Sequence, residues 1–312
     1  CIKPRADHLF IIADYSNAEL RTLAQAHINE GRSSRLATEY QSNPHFDPHL
    51  FMAVRRLGGM TYDEGLAVLS DKTHTQYAAL KEKRQLSKIA NFGYAGGLGA
   101  EQFIDYAKGY GTRLTSEQAS TLRDQWLDTW VEMRDYFERR GDMLRDAEES
   151  DLLERVDALT STGKARRSKH VSDKDWGCVY TFKSSGRVRY LRKFTIACNT
   201  PFQGIASDGA KDALIDVFSA CFFDRASPLF KCKPVLFVHD EIVLEVPFDE
   251  SEHAHRKASA AALELRDLMV RGMQQHTPDI PALADPCLSR EWTKDAESTA
   301  LENGLLSIYS SK

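Results

Sequence analysis

No two of the six cysteines form a CxxC pair. Cys1, Cys178, Cys198, Cys221, Cys232 and Cys287 are scattered along the chain, which argues against a zinc cluster or a disulfide framework and for reduced thiols in a cytoplasm. No apolar run approaches the ~20 residues of a membrane span, and the opening CIKPRADHLF has no secretory signal pattern. Internal repeats, low-complexity tracts and Pro/Gly-rich linkers are also missing, so composition alone does not mark the domain boundaries. The net charge is -4. The molecule as a whole is therefore no polycation, and any affinity for nucleic acid has to come from local patches.

What is there is a chain of 312 residues, 42% hydrophobic, long enough for one large unit or two intertwined ones with a sizeable core. Residues 8–13, HLFIIA, read as a short strand ending at Asp14. A helix follows on Leu20, Leu23 and Ala24, with Ser16 as its N-cap. From about 47 to 158 the periodicity is helical: DPHLFMAVRRLGG, YDEGLAVLS, TQYAALKEKRQLSKIANFGYAGG, and one further stretch from SEQAS to LLERV. A basic loop, STGKARRSKH, then gives way to the hairpin-like CVYTFKSSGRVRYLRK. A helix is expected from near Phe202 through GIASDGAKDALIDVFSACFF, then a strand pair around LFVHDEIVLEV, then a last helix over roughly 251–274. The pattern predicts an α/β (α+β) fold in which both ends of the chain build a sheet-containing unit and a helical unit is inserted between them.

Two strands carry acids where a core strand would exclude them. Asp14 ends one, with Glu19 nearby. Asp240 and Glu241 interrupt the other. Either aspartate alone reads as a turn or a helix cap. If the strands are neighbours, the carboxylates converge and repel unless cations lie between them. An oxygen-only set without His or Cys points to magnesium and to phosphoryl transfer with two metals. In RQLSKIANFGYAGG, Arg84, Lys88 and Phe92 fall at i, i+4 and i+8, on one helical stripe. Two cations and a ring on one face suit a triphosphate and a sugar, although the same stripe also reads as a solvated basic face with Phe92 in the core. The acidic run from Asp142 to Asp157 reads as an exposed helix face.

ADYSNAELR (13–21), RQLSKIANFGYAGG (84–97) and VHDE (238–241) resemble, in order, the three signature motifs of family A DNA polymerases. GRVR (186–189), NTPFQGIASDGAK (199–211) and PCLSREWTKDAE (286–297) are similar to further segments of that family. The resemblance implies a palm with a small antiparallel sheet (1–45 and 195–312) and inserted helical fingers (46–194). Asp14, Asp240 and the Tyr15 carbonyl would hold two Mg2+ ions, with Glu241 in support. Arg84 and Lys88 would grip the dNTP, Lys88 serving as general acid for the leaving pyrophosphate. Phe92 would pack on the sugar, and Glu19 would crowd its 2' position. His239 would lie near the primer terminus, Asn199 and Gln203 in the minor groove. Arg187 and Arg189, with Lys164, Arg166, Arg167 and Lys169, would meet DNA phosphates.

Gly96 stands where many members of the family carry a tyrosine, with Tyr94 the neighbouring aromatic able to replace it. Thr195 stands where an arginine is common, with Arg192 close by. The variant resembles phage replication polymerases, which would place it in a bacterial host cytoplasm. The first motif begins within fifteen residues of Cys1, so the thumb and the exonuclease region of the family are not in this stretch. A partner carrying the amino-terminal half is expected, supplied by another chain or by splicing at Cys1. A non-catalytic DNA-binding subunit and a single-subunit RNA polymerase are the alternative readings.

Overall fold

The computed structural model describes residues 2–149, 178–301 and 303–311. Its contacts divide the chain into two compact units, residues 1–25 with 204–312 and residues 26–203. Among the described residues no helix is long and apolar enough to cross a membrane.

The first unit is organised by β1 (His8–Tyr15). Leu9 to Ala13 are consecutive apolar residues because both faces of the strand are covered. Leu9, Ile11, Ala13 and Tyr15 join the larger core, while Phe10 and Ile12 pack on the other face with Val243, Cys287 and Trp292. The sheet also contains β4 (Lys233–Val238), β5 (Glu241–Pro247), β6 (Ala284–Ser289) and β7 (Ile308–Tyr309), in the order β4-β5-β1-β6-β7. β1 runs antiparallel to β5 and to β6.

Two helices cover the larger core face. In α10 (Glu252–Gln274), capped by the Ser251 side chain, Ala254, Ala258, Ala261, Ala262, Leu265, Leu268 and Met269 repeat at helical spacing and are buried. The carboxyl-terminal half of α9 (Phe194–Phe222) contributes Ala210, Ala213, Val217, Ala220 and Cys221. The two helices approach so closely that a Cβ on Gly272 would lie 2.6 Å from the Ala213 backbone nitrogen. Glycine is required there for that contact.

Helix α9 begins at Phe194, eight residues before the expected start, and carries Pro201 in its interior. A proline read from sequence suggests the first turn of a helix. The helix continues through it by giving up the N–H bond to the Ala197 carbonyl, while neighbouring carbonyls gain side-chain donors, Cys198 from the Tyr136 hydroxyl at 2.7 Å and Thr195 from Asn199 Nδ2 at 2.9 Å. Ser16 likewise departs from expectation. Helix α1 (Ala18–Asn29) starts from Asn17, which has φ 54 and whose carbonyl accepts from Leu20 and Arg21. The Ser16 hydroxyl donates instead to Asp285.

The second unit is helical. It contains α2 (Arg35–Ser42), α3 (Pro48–Leu57), α4 (Tyr62–Ser70), α5 (Tyr77–Ala95), α6 (Ala100–Gly109), α7 (Ser116–Thr129) and α8 (Glu132–Glu149), with a hairpin of β2 (Cys178–Thr181) and β3 (Val188–Leu191). The single stretch expected from 116 onward is two helices, because the chain leaves helical geometry at Trp130. The Trp130 indole N–H is drawn inward to Asn91 Oδ1 at 2.9 Å, a tertiary bond that local periodicity does not report.

Candidate active site

The acids gather at one end of the sheet in the first unit. β1 and β5 pair so that Asp14 stands opposite Glu241, and on its other side β1 pairs Asp14 with Asp285 of β6. Residues directly opposite in an antiparallel pair project from the same face. Asp240 enters from the turn between β4 and β5. Val238 pairs with Glu241, leaving a two-residue loop of His239 and Asp240. His239 has φ 58, a left-handed conformation that non-glycine residues adopt at a cost of about 1 kcal/mol or more. That strain is spent on presenting Asp240 beside Asp14.

The Asp14 carboxyl is pushed up to about 7. Loss of part of its hydration to the surrounding protein is the largest cause, although the side chain remains accessible. The charges of Asp240 and Glu241 push it further, against the Tyr15 backbone N–H, which favours the ion. Glu241 is steadied by the Trp292 indole N–H at 2.6 Å, and Asp285 by Ser16. Tyr15 is buried and its hydroxyl donates to the Met269 carbonyl at 2.7 Å, tying this end of β1 to α10. Glu19 is half-buried in the first turn of α1, and His239 is exposed.

Among the described residues no three His, Cys, Asp or Glu side chains are grouped to hold a metal by themselves. Magnesium needs fewer, one or two carboxylates completed by water and substrate oxygens. Asp14 and Asp240, gathered at one end of the sheet and near enough for the charge of one to act on the other, fit that demand.

One consequence is measurable without any activity. In the metal-free chain Asp14 binds its proton more tightly when folded than when unfolded. Folded stability is therefore unaffected below about pH 4, falls as pH rises toward 7, and carries the full penalty above it. In chelator, Asp14→Asn is expected to be more stable than the wild type at pH 8 by about 1–2 kcal/mol, a figure reduced because the carboxyl is open to solvent. At pH 4 the two should coincide. Urea denaturation at both pH values checks this, and a wild type as stable as the variant at pH 8 would refute it.

The cations gather in the second unit. Arg84, Lys88 and Phe92 share an accessible face of α5. Arg84 Nε donates to Asp47 Oδ2 at 2.6 Å. Asp47 Oδ1 caps α3 through the backbone N–H groups of His49 and Leu50. His49 lies behind this face, 1% exposed, its ring centroid 5.6 Å from that of Phe92. Its basicity is lowered to about 3, first by burial, with Arg84 and Lys88 reinforcing and Asp47 opposing. In the sequence DPHLF is simply the beginning of a helical stretch. The local signal is a capping aspartate followed two residues on by histidine.

The remaining candidates are more dispersed. Asn199 Nδ2 is engaged by the carbonyls of Gly96 and Thr195, and Gln203 is exposed. A Cβ at position 96 would lie 2.7 Å from Asn199 Nδ2, so glycine there follows from the packing of α9 on the end of α5. Tyr94 does not replace the missing tyrosine. It is buried, stacked on Phe103 at 4.1 Å, and donates to the Ala119 carbonyl. Arg187 lies over the Phe182 ring at 4.2 Å, Arg192 over Tyr190 at 5.0 Å, and Arg189 is exposed on β3. Cys1 and the basic loop Lys164, Arg166, Arg167 and Lys169 lie outside the described residues.

The profile of DNA polymerase family A matches residues 1–293. DNA polymerase I of Aquifex aeolicus (strain VF5) is 25% identical over 298 residues, 94% of this chain and 41% of the relative. DNA polymerase I of Caldicellulosiruptor bescii is 27% identical over 251 residues, 80% of this chain and 24% of the relative. Among solved structures, the POL domain of Pol1 from M. smegmatis, in complex with DNA primer-template and dNTP, aligns with a TM-score of 0.56 and 22% identity. That alignment covers 93% of this chain and 41% of the other, and it supports the fold. The chain thus spans less than half the length of the relatives it matches.

Proposed function

Because this chain belongs to the family A DNA polymerases, we propose that it supplies the palm (1–45 and 195–312) and fingers (46–194) of a DNA-directed DNA polymerase. The observation that carries the reading is the strand register that sets Asp14 opposite Glu241, with Asp240 in the adjoining turn, carboxyls gathered at a cost that bound cations would remove. Asp14, Asp240 and the Tyr15 carbonyl would hold two magnesium ions, with Glu241 beside them. Such ions, when bound, activate an attacking hydroxyl and hold attacking and leaving oxygens in line.

The side chains of this chain would do the rest. Arg84 and Lys88 bind the triphosphate, and Lys88, an exposed ammonium, gives a proton to the departing pyrophosphate. Phe92 packs against the sugar, and Glu19 crowds its 2' position. His239 approaches the primer terminus, Asn199 and Gln203 the minor groove, Arg187 and Arg189 the duplex phosphates. The phage-type variant of the site rests on Gly96.

The relatives extend well beyond the region matched here. In this reading the rest of the polymerase, on the same polypeptide or another, carries the thumb and exonuclease. Its seat would be the outer face of α9, where Ile215, Phe218 and Phe222 are 65%, 49% and 45% exposed at helical spacing. The open edge of β4, where Val235 and Phe237 are exposed, would be a second contact.

Primer extension with dNTP and magnesium, with and without an added amino-terminal portion of a relative, tests the function. Extension that appears or rises on addition is expected, and no extension in either arm would reject the reading. The Phe218→Ser/Phe222→Ser double variant is expected to weaken association with that portion about tenfold or more in a titration while folding normally. Unchanged affinity would reject the seat.

A further inference from the structure

The strand register gathers more acids than a magnesium site needs. Asp14 stands opposite Glu241 on one side and Asp285 on the other, and Asp240 lies in the adjoining turn. Directly opposed residues share a face, so β5, β1 and β6 carry Glu241, Asp14 and Asp285 in a row. Yet among the described residues no three acidic side chains are grouped to hold a metal. The hydrogen bonds give the reason. Each flanking acid has an uncharged donor of its own: Trp292 Nε1 donates to Glu241 Oε1 at 2.6 Å, and the Ser16 hydroxyl donates to Asp285 Oδ2. Both donors are themselves fixed. The Trp292 backbone N–H donates to the Ile2 carbonyl at 2.9 Å, and its side chain packs against the cluster of Phe10, Ile12, Val243 and Cys287. The Ser16 backbone N–H donates to the Leu283 carbonyl at 3.0 Å. Its hydroxyl caps no helix, since α1 starts from Asn17.

We propose that Trp292 and Ser16 are positioning residues that set which cation the site accepts. By engaging Glu241 and Asp285 they leave Asp14 and Asp240 as the carboxylates offered to the metal, a set matched to magnesium. The inference rests on the cation-site reading of these acids. Magnesium takes one or two carboxylates and completes a compact octahedron with water and substrate oxygens, whereas calcium takes about six to eight oxygens in a flexible shell. Each carboxylate released into the site would add oxygens that the larger ion can use and the smaller cannot. A neutral indole and a neutral hydroxyl suit the task, because a lysine or arginine in either place would repel the metal as well as hold the acid.

The test reads metal binding through stability. At pH 8 the unfolding midpoint of the 312-residue chain is measured in chelator and then in rising Mg2+ or Ca2+, each alone. Ser16→Ala/Trp292→Phe keeps a ring in the cluster and the start of α1. It is expected to reach half of its calcium-dependent gain at about tenfold less Ca2+, with its response to Mg2+ changed about threefold or less. Calcium should correspondingly inhibit magnesium-dependent primer extension at about tenfold lower concentration. Adding Asp285→Asn to Ser16→Ala, or Glu241→Gln to Trp292→Phe, neutralises the released carboxylate. Each addition should restore the wild-type ratio of the two ions, a rescue that a merely structural role of the donors would not produce.

An unchanged calcium-to-magnesium ratio in the folded double variant overturns the inference. So does a changed ratio that the Asn and Gln additions fail to restore. Should the double variant fail to fold, Ser16→Ala alone carries the same comparison. The underlying reading is tested separately by Asp14→Asn/Asp240→Asn. A midpoint that still rises with Mg2+ as in the wild type would place the ion elsewhere, and the cation site would fall together with its selectivity. Loss of that gain, beside an unchanged ratio in Ser16→Ala/Trp292→Phe, would leave the cation site standing and remove only the role of the two donors.

Discussion

Asp240→Ala is expected to lower primer extension by about a thousandfold or more, mainly in kcat, when assayed with magnesium and the amino-terminal portion present. The carboxylate is held where it is by a turn that bends His239 into φ 58, and its charge helps to raise the proton affinity of Asp14. Neither feature serves packing, because Asp240 is only half-buried and His239 is exposed. Removing the carboxylate should therefore leave the fold intact while removing half of the cation site. Asp14→Ala should cost a similar factor, and the double variant little more than either alone, because residues that act as a unit lose their function together. Losses that multiply in the double variant would show two independent roles. Wild-type rates in Asp240→Ala would end the two-metal reading.

The parts of this site that could be read from the sequence are those determined by local spacing. Arg84, Lys88 and Phe92 share a stripe because a helix has 3.6 residues per turn, and α5 delivers them so. HLFIIA and IVLEV are legible as strands because consecutive apolar residues suit a sheet covered on both faces. Their register is a different matter. Sequence spacing suggests that Asp14 meets Asp240, whereas the strand pairing sets Asp14 opposite Glu241 and Asp285, with Asp240 arriving from the turn.

The roles of Asp285, Trp292 and His49 are not legible in the sequence for the same reason. Each acquires its significance from a partner far away in the chain, Ser16, Glu241 and Asn91 respectively. The break between α7 and α8 and the early start of α9 belong to this class too. In each case a tertiary hydrogen bond, from Trp130 to Asn91 or from Tyr136 to Cys198, supports backbone that local propensity would not choose.

Arg84→Ala should act on the other kinetic parameter, raising the dNTP KM about a hundredfold, on the order of 3 kcal/mol, from the loss of charge-assisted bonds to phosphate. The structure gives this arginine a divided task. Its Nε is tethered to Asp47 at 2.6 Å, which leaves the two terminal Nη groups as a planar fork for a ligand. The ion pair is partly solvent-exposed, with the Arg84 side chain at 36%, so on its own it adds at most about 1 kcal/mol to stability. Asp47 also keeps its capping bonds to α3 when the arginine is gone. Affinity for the nucleotide should therefore change far more than the unfolding midpoint. Arg84→Lys restores the charge without the fork and is expected to recover only part of the affinity. Asp47→Asn keeps a capping oxygen but loosens the tether, and should raise KM about tenfold. Steady-state kinetics of the three variants against dNTP concentration give the ordering. If Lys fully replaces Arg, the face reads charge alone and the tether to Asp47 has no part in recognition.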